Sequence, residues 1–270
     1  MFQINKIDKE SIKELTDAYY TNITAPMDDM WESGIIPDGD FYTIEREDVL
    51  GYFVVDADNT LMQFFIKGEY ENEAPNIFEF IKDQKKINKA FVSTYEPRYL
   101  SLCLDKNYGV EINSILYTEM KAVEFKKPLE SISSEFAKME ELDETLAYFK
   151  DKVGIEGDWL VAYLKYVISD QRIVLFKVGN EIIGTGEMRP SHSSESYANI
   201  GVTVSKDYRK KNIGTYILSH MRILANEKGL KAICSTTIDN IASQRTIEKS
   251  GFGSYHRILV TIQPSSLPPS

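Results

Sequence analysis

The chain has 270 residues, 43% of them hydrophobic and 27% charged, which is the composition of a soluble globular protein with room for one large or two ordinary domains. The formal net charge of −10 is uneven, because residues 1–130 hold 14 Lys and Arg against 25 Asp and Glu, and the remainder 17 against 16. Such acidity argues against nucleic acid as a partner, and no apolar run approaches the roughly 20 residues that span a bilayer, so no membrane is expected either.

The opening, MFQINKIDKE, lacks the basic-then-apolar pattern of a secretion signal. Cys103 and Cys234 sit in apolar surroundings and read as buried free thiols, in keeping with a cytoplasmic location. Tyr52 to Ile66 reads as a hairpin turning at Asp56 to Asn59. The acidic stretch KGEYENEAPNIF (Lys67 to Phe78) follows, and Ala90 to Thr118 then reads as strand, helix and strand. Around Phe125 to Glu135, Pro128 and a serine cluster interrupt the periodicity, which places a boundary between domains 1–127 and 128–262.

Beyond that boundary the pattern predicts helices over Glu140 to Lys152 and Trp159 to Ser169, then a hairpin over Arg172 to Met188 turning at Gly179-Asn180. A β-like run, Asn199 to Val204, enters a polar turn with Arg209, Lys210 and Lys211, which resolves through Asn212 and Gly214 into an amphipathic helix. Helix N-termini carry unpaired N–H groups and the positive end of the dipole, so this turn is suited to an anionic phosphate. A residue without Cβ lets a ligand approach the backbone closely. The apolar run Lys231 to Thr237 leads to DNIASQRTIEKSGF (Asp239 to Phe252), and the tail 263–270, QPSSLPPS, is expected to be disordered.

Arg209-Lys210-Lys211-Asn212-Ile213-Gly214 resembles the acyl-CoA pyrophosphate loop of GNAT-type N-acetyltransferases, Arg/Gln-x-x-Gly-x-Gly/Ala. Asp239 to Phe252 is similar to the family's second signature, Asn-x-x-Ser/Ala … Glu-Lys-x-Gly-Phe, and the two follow in order with helix and strand between them. The resemblance covers roughly Gln171 to Ile262. It implies acetyl-CoA (CoA) as cofactor and a small-molecule amine as acceptor. Backbone groups of Val202, Thr203 and Val204 would line the acyl and pantetheine arm, and N–H groups of Ile213, Gly214 and Thr215 would meet the pyrophosphate. Arg209, Lys210, Lys211 and Asn212 would complete the loop, and Asn240 and Ser243 would lie along the pantetheine. No metal is implied.

Two positions depart from the pattern. Asn212 replaces the first loop glycine, and Ile247 replaces a tyrosine that in many relatives protonates the leaving thiolate. Tyr255 is the best phenol to take that place, the other reading being a packed strand aromatic. Glu187 is the candidate general base, or else a strand-end partner of Arg189. His192 and Glu195 are candidate substrate contacts or surface residues, and His220, on the apolar face of its helix, reads as a core histidine.

A repeat extends the resemblance. AFVSTYEPRYLSLCLDKNYGVEINSILYT (Ala90 to Thr118) parallels AICSTTIDNIASQRTIEKSGFGSYHRILVT (Ala232 to Thr261), with Ser93-Thr94 on Ser235-Thr236 and Lys106 on Lys249. The upstream hairpins, Tyr52 to Ile66 and Arg172 to Met188, are taken as equivalent, which makes the second copy longer before its Ser-Thr strand. The fold class is therefore α/β (α+β): two tandem GNAT-like domains, each a mixed, mainly antiparallel twisted sheet flanked by helices, the first degenerate and without a phosphate loop. The expected activity is transfer of an acetyl group to a primary amine by direct attack in a ternary complex. The acidic front half either keeps the chain soluble or draws a cationic acceptor. The alternative is a non-catalytic acyl-CoA sensor or partner-binding protein. A monomer is favoured over a homodimer, since tandem domains can satisfy internally what single domains meet by pairing.

Overall fold

The computed structural model describes residues 1–105, 109–123 and 125–262, so Lys106 of the repeat and the tail 263–270 lie outside the described residues. By contact the chain divides into two units. Of the described residues, one comprises Met1–Leu116, His192–Ser194 and 255–262, and the other Tyr117–Ser191 and Glu195–Ser254. The division leaves residues 255–262 with the first unit, where the sequence pattern had grouped 128–262.

The first unit runs β1 (Gln3–Ile7), α1 (Lys13–Asn22), β2 (Asp40–Glu45), β3 (Val49–Val55), β4 (Leu61–Ile66), α2 (Ala74–Lys85), β5 (Lys89–Ser93), α3 (Pro97–Leu104) and β6 (Gly109–Glu119), of which Tyr117–Glu119 count with the second unit. Strands β1 to β4 pair antiparallel in order. β3 and β4 are apolar nearly throughout, as strands covered on both faces must be. Phe53 and Val55 pack with Ile77, Phe78 and Ile81 of α2, while Tyr52 and Val54 pack on the other face with Ile12, Tyr19 and Trp31.

The second unit runs β7 (Ile132–Phe136), α4 (Leu142–Ala147) continued by a π-helical turn over Tyr148–Val153, α5 (Trp159–Ser169), β8 (Ile173–Val178), β9 (Glu181–Pro190), β10 (Tyr197–Val204), α6 (Ile213–Glu227), β11 (Lys231–Thr237), α7 (Ile241–Lys249) and β12 (Phe252–Ile262), of which Tyr255–Ile262 count with the first unit. Strands β7 to β10 are antiparallel neighbours, and β10 pairs parallel with β11. Residues Ile258–Ile262 of β12 pair antiparallel with β5 in the first unit. Leu160, Leu164 and Val167 of α5 and Tyr148 and Phe149 cover one face of the sheet. Both cysteines are buried, and neither forms a disulfide. No helix among the described residues is long and apolar enough to cross a membrane.

Element order confirms the repeat and corrects its register upstream. Strand, helix and strand over β5-α3-β6 match β11-α7-β12, but counting back puts β4 on β10, not on β9. The Tyr52–Ile66 hairpin (β3-β4) thus corresponds to β9-β10, and the hairpin β8-β9 to β2-β3. The second copy therefore has no extra loop. Both copies have one short connection between an open strand and a helix, and in the first it is the 3-10 turn Gly68–Glu73. The difference has a simple cause: β3, β4, β8 and much of β9 and β10 are apolar, so turn residues alone could set the frame, and both hairpins offer a good turn.

Gly184 and Gly186 let α6 lie close on β9. A Cβ at Gly184 would stand 2.4 Å from Ile217 Cδ1 and 2.9 Å from the Thr203 carbonyl oxygen, and one at Gly186 would stand 2.4 Å from Met221 Sδ. Gly184→Ala is expected to cost about 1–3 kcal/mol by overpacking. A lowered urea midpoint checks this, and an unchanged one would mean that α6 can shift without loss.

Candidate active site

The site begins with the hydrogen-bond parity of β10. Ser191 N–H donates to the Tyr197 carbonyl and Ser205 N–H to the Ile183 carbonyl, both at 2.9 Å, and both pairs lie on the β9-β10 register. In an antiparallel ladder every second residue faces the partner. Tyr197, Asn199, Gly201 and Thr203 therefore direct their amides to β9, while Ala198, Ile200, Val202 and Val204 direct theirs to the opposite edge. On that edge the register with β11 covers only Tyr197–Asn199 against Lys231–Ile233. Past Asn199 the two strands part, and Val202 and Val204 face the opening. Thr203 does not, since its amide belongs to β9. Its hydroxyl is 2.7 Å from Thr185 Oγ1 and 3.0 Å from the Tyr148 hydroxyl. Burial pushes the Tyr148 phenol up to about 12, against the smaller opposing effects of the Thr203 bond and Arg209, so it stays a neutral donor or acceptor.

The open edge runs into the basic turn. Ser205 is buried, and the turn continues through Lys206–Tyr208 to Lys210 and Asn212, which hold left-handed backbone at φ 61° and 60°. Asparagine tolerates that region better than most residues, which explains how it stands in for glycine. Asn212 precedes α6, yet its side chain does not cap the helix, and Lys249 Nζ donates to its Oδ1 at 2.7 Å. The first-turn N–H groups of Ile213, Gly214 and Thr215 are left to the opening by helix geometry. Gly214 is closely flanked: a Cβ there would meet Thr246 Cγ2 at 3.3 Å and Val204 Cγ2 at 3.4 Å. Arg209 Nε donates to the Val204 carbonyl at 3.2 Å, and Lys211 Nζ donates to the Asp207 carbonyl at 3.0 Å. Arg209 and Lys211 thus fasten the turn as well as charging it.

Asn240 is the N-cap of α7, its Oδ1 accepting from the Ser243 N–H at 3.1 Å. Ile247 is buried on that helix and offers no proton. Lys249, present in the quoted signature but not singled out there, is brought to the phosphate-type turn by its bond to Asn212.

Glu187 stands opposite Gly201 on the register, at the point where β10 leaves β11. Its Oε2 accepts from the Tyr163 hydroxyl at 2.5 Å and from Arg189 Nη1 at 3.1 Å, and Arg189 also reaches the Tyr163 hydroxyl. The expected Glu187–Arg189 pair is therefore present and sits beside the opening. Tyr163, one turn into α5, carried no signal in sequence because the helix is apolar nearly all round. Tyr255 is 73% exposed and counts with the first unit, so it is not the packed aromatic of the second reading. His192 also counts with the first unit, where its N–H donates to Glu32 Oε2 at 3.1 Å, and Glu195 is exposed in the second. His220 is half-buried against Phe176, with ring centroids 5.2 Å apart, and burial lowers its pKa.

The comparisons with known proteins agree with this architecture. A family profile described as an acetyltransferase (GNAT) domain matches residues 8–120, and one described as the acetyltransferase (GNAT) family matches residues 134–252. No curated protein matches the chain. Among solved structures, a GNAT-family acetyltransferase from Colwellia psychrerythraea is similar, with 27% identity and a TM-score of 0.89 over 97% of this chain and 99% of that one. A GCN5-related N-acetyltransferase from Sphaerobacter thermophilus shares the fold at 13% identity and a TM-score of 0.64, over 97% of this chain and 96% of that one. A tandem GNAT protein from the clavulanic acid biosynthesis pathway shares it at 11% identity and a TM-score of 0.59 over the full length of both. With one profile on each half of the repeat, the chain belongs to the GNAT acetyltransferase family and carries two GNAT domains in tandem.

Proposed function

We propose that the second domain binds acetyl-CoA and serves the transfer of its acetyl group to a primary amine of a small molecule by direct attack in a ternary complex. The observation that supports this reading most is the continuous open edge. Outward-facing backbone of Val202 and Val204 runs directly into a left-handed turn and an uncapped helix N-terminus. The residues fit the cofactor: an extended amide-bearing arm matches a strand edge, and a pyrophosphate matches the N–H groups of Ile213 to Thr215 with Lys249 and the basic triplet nearby. Acetyl-CoA supplies a thioester carbonyl open to attack and a thiol leaving group with a pKa of about 8.5. Such a group departs without a dedicated acid, so the buried Ile247 is no obstacle.

Glu187 is the base in this reading, taking the amine proton directly or through a water. Arg189 and Tyr163 hold its carboxylate at the point where the strands part, which restricts its rotamers and aims it. The Gly68–Glu73 turn of the first domain, with Glu69, Glu71 and Glu73 and with Pro75 in the first turn of α2, would repel the same cofactor, so one site per chain is expected.

Calorimetric titration tests the cofactor. Acetyl-CoA is expected to bind with micromolar affinity at one site, and Gly214→Glu to abolish binding, because the added carboxylate would fill the gap beside Val204 and Thr246. No binding to the intact chain would overturn the reading. Glu187→Gln is expected to lower kcat roughly 10²–10⁴-fold at unchanged acetyl-CoA affinity, measured by thiol release with an amine panel. Equal activity would leave Glu187 a strand-end partner of Arg189. The loss of the usual tyrosine favours a second reading, a non-catalytic acyl-CoA sensor, for which acetyl-CoA would bind and no amine would raise thiol release above background.

A further inference from the structure

The first domain repeats the opening and furnishes it differently. Lys67 N–H donates to the Leu50 carbonyl at 2.9 Å on the β3-β4 register, so Gln63 and Phe65 direct their amides to β3 while Phe64 and Ile66 direct theirs away. β4 meets β5 in register only at Leu61–Ala90. The opening beyond is a cleft of about 470 Å³, the open solvent at its mouth included, lined by Phe64, Ile66, Tyr99 and Leu102 and by the buried Tyr19 and Glu96. Glu96 takes the place that Asn240 has in the second domain, at the N-cap of the following helix.

Glu96 is 8% exposed. Its Oε1 accepts from the Tyr19 hydroxyl at 2.7 Å and its Oε2 from the Ser93 N–H at 2.8 Å. Both donors are neutral, and no cation among the described residues pairs with this carboxylate. A buried carboxylate without a cation is unfavourable, and burial pushes the Glu96 carboxyl up to about 7 despite its two hydrogen bonds. The walls are aromatic and aliphatic, which suits a cation with a short apolar body. At the rim Arg98 pairs with Glu71 and is thereby neutralised.

We propose that this cleft is a binding site for a small primary alkylammonium, its charge seated on Glu96 and its chain against Phe64, Ile66 and Leu102. The site requires no acyl transfer, and none of its residues belongs to the second domain, so it stands or falls apart from the acetyl-CoA reading. A turn-stapling role for Glu96 alone is the competing account, and charge selectivity separates the two.

The test titrates n-butylammonium and its neutral counterpart 1-butanol into the full chain, with calorimetric detection. Butylammonium is expected to bind saturably and at least about tenfold more tightly than butanol. Glu96→Gln, which keeps the size of the side chain, is expected to remove that preference, and Asn22→Trp, at the exposed rim, to weaken butylammonium at least about tenfold by blocking the mouth. Equal affinity for the two ligands, no saturable binding, or unchanged binding in either folded variant would overturn the proposal. If Glu96→Gln does not fold, the ligand pair and Asn22→Trp still decide it.

Discussion

A strand edge without a partner leaves N–H and C=O groups that must find water, a ligand or another chain, and the second domain has such an edge where β10 parts from β11. Everything around it follows from keeping that edge open and in place. β9 holds the other edge of β10 over its whole length without a bulge. The hydroxyls of Tyr148, Thr185 and Thr203 pin the strand from the helical side. Gly184 and Gly186 let α6 lie close against β9, so that its N-terminus falls where the open edge ends. Loss of any one support would tilt the helix or let the strands zip further.

The same parity rule operates in both domains and gives them opposite characters. In the second, the edge leads to basic residues, left-handed turns and an exposed asparagine cap. In the first, it leads to three glutamates, and the cap is a buried glutamate under aromatic walls. The backbone opening is one device, and the side chains at its two ends give it opposite charge in the two domains.

Departures from the family pattern read differently once placed. Asn212 adopts the left-handed backbone a glycine would supply and gains a bond from Lys249, so the substitution ties the turn to the signature helix. Ile247 is packed and offers no proton. In the proposed reaction, the chemistry would rest on the leaving ability of a thiol and on the Glu187 carboxylate that Arg189 and Tyr163 hold.

Much of this was legible in the chain alone. The basic turn, Gly214, the Asn240 signature and the strand-helix-strand repeat are local patterns, fixed by residues close together in sequence, and they pointed to the family. Gly179-Asn180 and Asp56 to Asn59 marked their turns because those residues tolerate the backbone required. The register of the repeated hairpins was not legible, because adjacent strands with the same apolar character are distinguishable only by their partners. Nor could sequence show that Thr203 turns its amide to β9 while Val202 and Val204 do not, since parity is set by a neighbouring strand. Tyr163 meeting Glu187 and Glu96 meeting Tyr19 were likewise decided by packing, which joins residues that no spacing along the chain connects.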